Sequence, residues 1–162
     1  SKRHEMRMAA MNNHLKHKDF LMVTSLPRIT DTLKCKVPAL APALLSHEPV
    51  YYQPEELIVH LESIIELIDK YSRLEVSILP SKHIIHNVQI FAMQNTGMLV
   101  LKHRDPKFVF ISEQKDLISA IFGYINQEVG RIPKRERTKN YVADKLRDYC
   151  ERIKKGLADK KH

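Results

Sequence analysis

Apolar residues recur at helical spacing in three stretches of the chain. The first begins at Pro54-Glu-Glu, where a proline suits the first helical position and two carboxylates face the positive end of the helix dipole. The second runs over Glu113–Val129 with Ser112 as the expected N-cap, and the third over about Thr138–Leu157. Each predicts an amphipathic helix. The spacing leaves three alternatives for the surface on which the third helix packs: this domain, a second copy of the chain, or a preceding domain.

Short apolar runs bounded by turn residues predict strands. One lies within residues 19–26 and ends at Pro27, and the others are Leu74–Leu79, Val88–Met93, Met98–Lys102 and Phe108–Ile111. We expect the last four to form an antiparallel meander. The predicted fold class is α/β (α+β): a small sheet of four or five largely antiparallel strands, amphipathic helices packed on it, and a basic C-terminal helix.

The remaining segments connect these elements. Residues 27–53 are rich in proline and predict a connection that wraps the body, with a helical turn around Ala39–Ser46. Residues 1–18 predict a helix with no clear beginning, and the first residue is Ser1 rather than Met. We therefore expect the chain to be a domain of a larger protein.

Composition narrows the class of protein. The chain has 162 residues, 43% of them hydrophobic, with only 4 Gly and 8 Pro, which excludes collagen-like and largely disordered chains and predicts a single compact domain. No apolar run approaches the length of a membrane span. Two cysteines are too few for a disulfide scaffold, so the expected compartment is the cytoplasm.

The positive charge is concentrated at one end. Residues 131–162 hold 12 of the 27 Lys and Arg but 5 of the 19 Asp and Glu, a net charge of +7 against +1 for residues 1–130. Such a segment is a candidate for binding nucleic acid through Lys134, Arg135, Arg137 and Lys139. The favoured interpretation is an ordinary solvated helix surface, because acidic residues are interspersed among the basic ones.

Motifs for catalysis are absent from the sequence. The four glycines form no dinucleotide-binding or phosphate-binding loop, and no nucleophile elbow occurs. Cys35 lies between two lysines that favour a reactive thiolate, but a lone loop cysteine is more often incidental. The pairs His14/His17 and His83/His86 lack neighbouring ligands, so no metal site is predicted. We expect no enzyme activity and no cofactor.

One group of polar residues is a candidate ligand site. These residues fall at or near strand ends on one side of the predicted meander, where polar groups could converge on an apolar cavity. They are His83, His86, Asn87, His103 and Arg104. Surface loop histidines are the more common outcome of such a pattern.

The order of several motifs resembles a known family. A Pro54-Glu-Glu helix start is followed by a strand ending in Leu79-Pro80, a turn with Gly97 before an apolar strand, and a final helix with an acidic or amide start. This order, over about residues 45–128, resembles the C-terminal sensing domain that follows an N-terminal helix-turn-helix of the Cro/repressor (XRE) type in transcription regulators of Gram-positive bacteria.

The resemblance implies a regulatory role. Residues 1–18 would be the connecting helix from a missing N-terminal DNA-binding domain, 19–130 the α/β sensing domain, and 131–162 a basic C-terminal helix that mediates association. The implied partners are a small-molecule effector, DNA through the missing domain, and a second copy of the chain, because DNA half-sites are usually read by two-fold pairs.

Overall fold

Five short apolar segments form one sheet with helices on both faces. The structure is a computed structural model that describes residues 9, 13–39, 50–83, 88–102 and 108–160. The strands are β1 (Phe20–Thr24), β2 (Leu74–Ile78), β3 (Val88–Met93), β4 (Gly97–Lys102) and β5 (Phe108–Ser112). The helices are α1 (Ile29–Leu33), α2 (Pro54–Lys70), α3 (Lys115–Val129) and α4 (Lys139–Asp159), with a 3-10 turn at Lys134–Arg137, and residues 13–17 are also helical.

The sheet is largely antiparallel, as expected, but its order corrects the predicted meander. The strands follow the order β2-β1-β3-β4-β5, and β1 pairs in parallel with β2 and antiparallel with β3. Only β3, β4 and β5 form a meander. The physical reason is the helix between β1 and β2, since a crossover through α2 returns the chain in the same direction and makes the two strands parallel neighbours.

Helix α2 begins where the sequence predicts and has a well-defined start. Pro54 is its first residue, Gln53 is the N-cap, and the Gln53 N–H donates to the Glu56 carboxylate over 2.9 Å. This is the reciprocal arrangement of a capping box. The apolar stripe from Leu57 to Ile68 is buried against the sheet.

Helices α2 and α4 cover one face of the sheet. Their apolar side chains join Met22 of β1 and Val76 of β2 in the main core. Leu15, from the helical residues 13–17, is buried in the same core. At least these residues of the predicted connecting helix therefore pack against the body of the domain.

Helix α3 covers the opposite face. Ile125 and Val129 pack with Val23 and Ile90, and Ile118 packs with Met98. The helix starts at Lys115 rather than at the predicted Glu113, and Ser112 is not its N-cap. The reason is that Ser112 still pairs with Met98 in the sheet, and its hydroxyl accepts a hydrogen bond from the Gln114 N–H over 3.1 Å in the turn that follows.

The C-terminal helix packs on its own domain. Its apolar stripe is buried against α2, and Thr138 caps its start by accepting from the Tyr141 N–H over 3.2 Å. This packing answers the question left open by the sequence, because the apolar face of α4 is occupied within the chain. Within the described ranges, no helix combines the length and the apolar character needed to cross a bilayer.

Candidate ligand cavity

A cavity of about 600 Å³ lies at the carboxyl end of β1. Pro27 keeps the chain from continuing the strand, so the segment after β1 leaves the sheet and closes one side of the space. Helix α2 forms the facing wall. The volume is typical of a small-molecule site. The apolar lining comes from the sheet, α2 and α4, and includes Met22, Val76, Leu57, Leu61, Ile64 and Leu146.

The base of the segment that follows β1 is fixed by a short backbone pairing. Pro38 and Tyr51 form an isolated antiparallel bridge, and the Ala39 N–H donates to the Val50 carbonyl over 2.7 Å. This pairing brings Tyr51 and Tyr52 to the cavity from a region far from β1 in sequence. The wall is thus assembled from two ends of the proline-rich connection.

A small number of polar groups face this apolar space. Thr24 lies at the end of β1, Ser81 follows β2, and Gln89 belongs to β3. The amide oxygen of Gln89 is buried and has no hydrogen-bond partner among the described residues. A buried acceptor without a donor costs free energy, so a ligand that donates a hydrogen bond here would gain from it.

An aromatic pair lines the wall next to the start of α2. The rings of Tyr52 and His60 are stacked, with centroids 5.9 Å apart and planes inclined by 26°. Desolvation lowers the pKa of His60, and burial together with the nearby Glu56 raises the pKa of Tyr52. At neutral pH both side chains are therefore uncharged, and each offers a hydrogen-bonding group beside a flat apolar surface.

Charged residues stand at the rim. The Arg28 guanidinium binds Asp31 through two contacts, Nε to Oδ2 at 3.0 Å and Nη2 to Oδ1 at 3.3 Å. Lys36 is exposed at the same rim. Because Arg28 is paired with a carboxylate, the rim offers little net positive charge, and the lining fits an uncharged or weakly anionic molecule.

The structure tests only one of the five predicted ligand residues. Of the five, only His83 falls among the described residues; His86, Asn87, His103 and Arg104 lie outside them. The His83 imidazole lies beside α3, with Nε2 at 3.3 Å from the carboxylate of Glu128. His83 does not contribute to the cavity lining.

The carboxylate of Glu128 lies between the side chains of His83 and Arg131. The Glu128 side chain is buried, and its Oε1 is 3.4 Å from Nη1 of Arg131, one turn further along the chain. The carboxylate thus has a partner on each side, as a buried charge requires. This arrangement joins the loop after β2 to the end of α3.

Several basic side chains of the C-terminal segment bind acceptors within the domain. The Lys139 ammonium donates to the carbonyls of Ile68 and Tyr71 over 3.3 and 2.7 Å, at the end of α2. Acceptors within the chain also bind Arg131, Arg147, Lys154 and Lys160. Of the predicted nucleic-acid residues, Lys134 and Arg135 are exposed in the 3-10 turn, whereas Arg137 is half-buried.

The two cysteines lie in different surroundings. Cys35 has a left-handed backbone (φ 54°), and its thiol is 3.5 Å from the side-chain oxygen of Gln53. Cys150 is buried in the core, where desolvation and the nearby Glu62 raise the pKa of its thiol. In the part of the chain that the structure describes, no three His, Cys, Asp or Glu side chains are grouped so that they could hold a metal ion.

No family model, curated protein or solved structure matches this chain.

Proposed function

We propose that this chain is a non-catalytic regulatory domain that senses a small-molecule effector, as part of a transcription regulator that reads DNA through a separate helix-turn-helix domain. The observation that carries the proposal is the cavity of about 600 Å³, with its apolar walls and the buried amide oxygen of Gln89, for which the described residues provide no hydrogen-bond partner. Sensing domains need such a space and need no catalytic group. The resemblance over residues 45–128 supports the regulatory class.

The lining indicates the chemistry of the effector. The apolar walls and the stacked Tyr52–His60 pair favour a compact aliphatic or aromatic molecule. Gln89 favours a ligand with a hydrogen-bond donor, and the neutral His60 adds a second polar contact. The paired Arg28–Asp31 at the rim disfavours a ligand whose affinity depends on several negative charges.

The location of the cavity suggests how binding is transmitted. The cavity touches β1, α2, α4 and the connection that follows β1, so a ligand there contacts most of the layer on one face of the sheet. An effector that prefers one arrangement of this layer shifts the population towards it. In a dimeric regulator, that shift changes the spacing of the DNA-binding domains.

Binding of the fluorescent probe 8-anilinonaphthalene-1-sulfonate tests the cavity directly. We expect a saturable one-to-one complex with the native chain and an increase in its melting temperature, because the probe binds the folded state. The variant Ser81→Trp places an indole at the cavity lining and should weaken binding at least about tenfold.

The matched control is Ser63→Trp, the same substitution at an exposed position of α2 that does not line the cavity. It should bind the probe like the native chain. Equal binding by both variants, or no saturable binding by the native chain, would rule out the cavity as the sensing site.

Nucleic-acid binding by the basic C-terminal segment is the second candidate function. It is favoured by the exposed Lys134 and Arg135 and by the net charge of +7 on residues 131–162. This candidate requires that the chain bind duplex DNA or RNA with an affinity that falls steeply with salt and that decreases in the Lys134→Glu/Arg135→Glu variant. If adding the chain does not change the mobility of the nucleic acid in a gel at low salt, this candidate is eliminated.

A further inference from the structure

Strand β5 is an edge strand whose side chains are exposed on both faces of the sheet. It is last in the strand order, and within the described residues no strand pairs with its outer edge. Four consecutive large apolar residues are at least 42% exposed: Phe108 45%, Val109 48%, Phe110 42% and Ile111 68%. Side chains alternate along a strand, so the exposed apolar surface extends over both faces and along the unpaired backbone between them.

The strand at the opposite edge of the sheet is much less exposed. Strand β2 buries four of its five residues, and α2 and α4 lie over one of its faces. Soluble proteins usually shield an edge with a charge, a proline or a bulge. Strand β5 has no charged residue or proline, and its five residues pair with β4 in continuous register. The side chains of one edge strand are thus mostly buried, while those of β5 are exposed, and none of the described strands pairs with the outer edge of β5.

We propose that two copies of this chain pair through β5 in antiparallel orientation about a two-fold axis at Phe110, so that their sheets form one continuous ten-stranded sheet. An antiparallel pair of identical strands is self-complementary, because each copy offers the other the backbone groups it needs. The inference deepens the proposed function, since it names the surface through which the two protomers of the regulator associate.

The charges beside β5 favour a second copy in this orientation. Lys102 of β4 pairs with Phe108 and stands next to one end of the strand, while Glu113 follows Ser112 at the other end. The proposed axis puts Phe108 opposite Ser112 of the second copy. The end of each β5 that lies beside Lys102 then adjoins the end of the other β5 that is followed by Glu113, whereas a parallel pairing would place the two Glu113 residues side by side.

The association state of the 162-residue chain tests the proposal. Sedimentation equilibrium should give a dimer of the 18.9 kDa chain. The variant Ile111→Lys puts a charge into the pairing edge and should weaken the dimer at least about tenfold. Because Ile111 is 68% exposed, the substitution should leave the folded protomer intact, which circular dichroism checks.

The matched control is Val59→Lys, which places the same charge at a 62% exposed apolar position on α2 and should leave the dimer unchanged. Glu113→Lys should weaken the dimer a fewfold, because it puts a positive charge next to the end of the second copy's strand that lies beside Lys102. In a Cys35→Ser background, Phe110→Cys should form a disulfide between copies under mild oxidation, while Val59→Cys should not.

A native chain that stays monomeric at high concentration overturns the inference. This holds also if β5 of the monomer is found to pair with a strand of a different protein. A dimer that Ile111→Lys does not weaken overturns it too, because the contact then lies elsewhere. Failure here is distinguishable from failure of the proposed function, since Ile111 does not line the cavity and the fluorescent probe reports on ligand binding separately.

Discussion

The hydroxyl of Tyr149 lies 2.8 Å from the hydroxyl of Thr32 in the interior of the protein and connects α4 to α1. Both residues are buried, Thr32 at 1% and Tyr149 at 4% exposure. The Thr32 hydroxyl is also 3.4 Å from the carbonyl of Arg28, which can accept its proton. Thr32 therefore donates to Arg28 and accepts from Tyr149.

This direction of donation predicts unequal effects of two substitutions. Tyr149→Phe removes a donor while Thr32 keeps Arg28 as a partner, so we expect a loss of about 1 kcal/mol in the free energy of unfolding. Thr32→Val leaves the buried Tyr149 hydroxyl without its acceptor and should cost more, roughly 1–3 kcal/mol. Urea denaturation measures both, and the double variant should lose less than the sum. Additive losses would contradict the hydrogen bond.

A second prediction concerns Lys139, whose ammonium donates to the carbonyls of Ile68 and Tyr71 at the end of α2. Lys139→Met keeps the aliphatic stem but removes the donor and the charge at the negative end of the helix dipole. We expect a loss of about 1–2 kcal/mol in the free energy of unfolding. Lys145→Met, at an exposed position of α4, is the control and should change it by less than about 0.5 kcal/mol. Equal effects would show that the capping contact does not stabilise the fold.

Two helical glycines should respond oppositely to alanine. A Cβ at Gly123 of α3 meets no atom within 4 Å, so Gly123→Ala should raise the free energy of unfolding by roughly 0.5–1 kcal/mol. A Cβ at Gly156 of α4 would lie 2.5 Å from Cδ1 of Leu33, so Gly156→Ala must displace that side chain. We expect it to be less stable than Gly123→Ala by at least about 1 kcal/mol. Thermal denaturation of the two variants compares them, and equal melting temperatures would contradict close packing of α4 on α1.

His60 makes stability depend on pH in the mildly acidic range. Desolvation lowers its pKa in the folded protein below the usual value of about 6.5, so the unfolded chain binds the proton more readily. The stabilising contribution is complete above about pH 6.5 and is lost as the pH falls through the folded pKa. His60→Phe retains an aromatic ring beside Tyr52 without the titration. Denaturation at pH 7.5 and at lower pH should show a smaller loss for this variant, and an identical loss would assign the pH dependence to other groups.

We expect Gln89 to contribute to ligand binding but not to the stability of the fold. Its buried amide oxygen has no partner in the described part of the chain, so Gln89→Met, of similar length, should leave the free energy of unfolding unchanged or raise it by up to about 1 kcal/mol. A ligand that donates to this oxygen should bind the variant more weakly. A destabilisation of more than about 1 kcal/mol would show that the amide forms hydrogen bonds that stabilise the fold.

The elements of the fold were predictable because their signals are local. Pro54 marks the start of α2, Thr138 caps α4, and Val88–Met93 has the bounds that its apolar run predicts. Strand order was not predictable in the same way. Nothing within Leu74–Ile78 indicates that β1 lies between it and β3, because that placement depends on how the crossover through α2 docks on the sheet.

The candidate cavity was missed for a related reason. Its polar groups come from separate elements, such as Tyr52 before α2, His60 within it and Gln89 in β3, and only the fold brings them together. Clustering in sequence drew attention instead to His83, which the structure places against Glu128. The local signal in the sequence is the pair Tyr51 and Tyr52 just before an amphipathic helix, with His60 in the second turn of that helix.

The position of α4 has a consequence for the order of events during synthesis. Its stripe from Val142 to Ile153 completes the layer that covers α2 and β2, which leave the ribosome tens of residues earlier. Until α4 has emerged from the exit tunnel, the part of the apolar surface of α2 and β2 that α4 covers is exposed, which favours chaperone binding or aggregation. A ribosome stalled soon after residue 130 should therefore carry a chain that proteases still digest, with resistance appearing only once the final helix is free to dock.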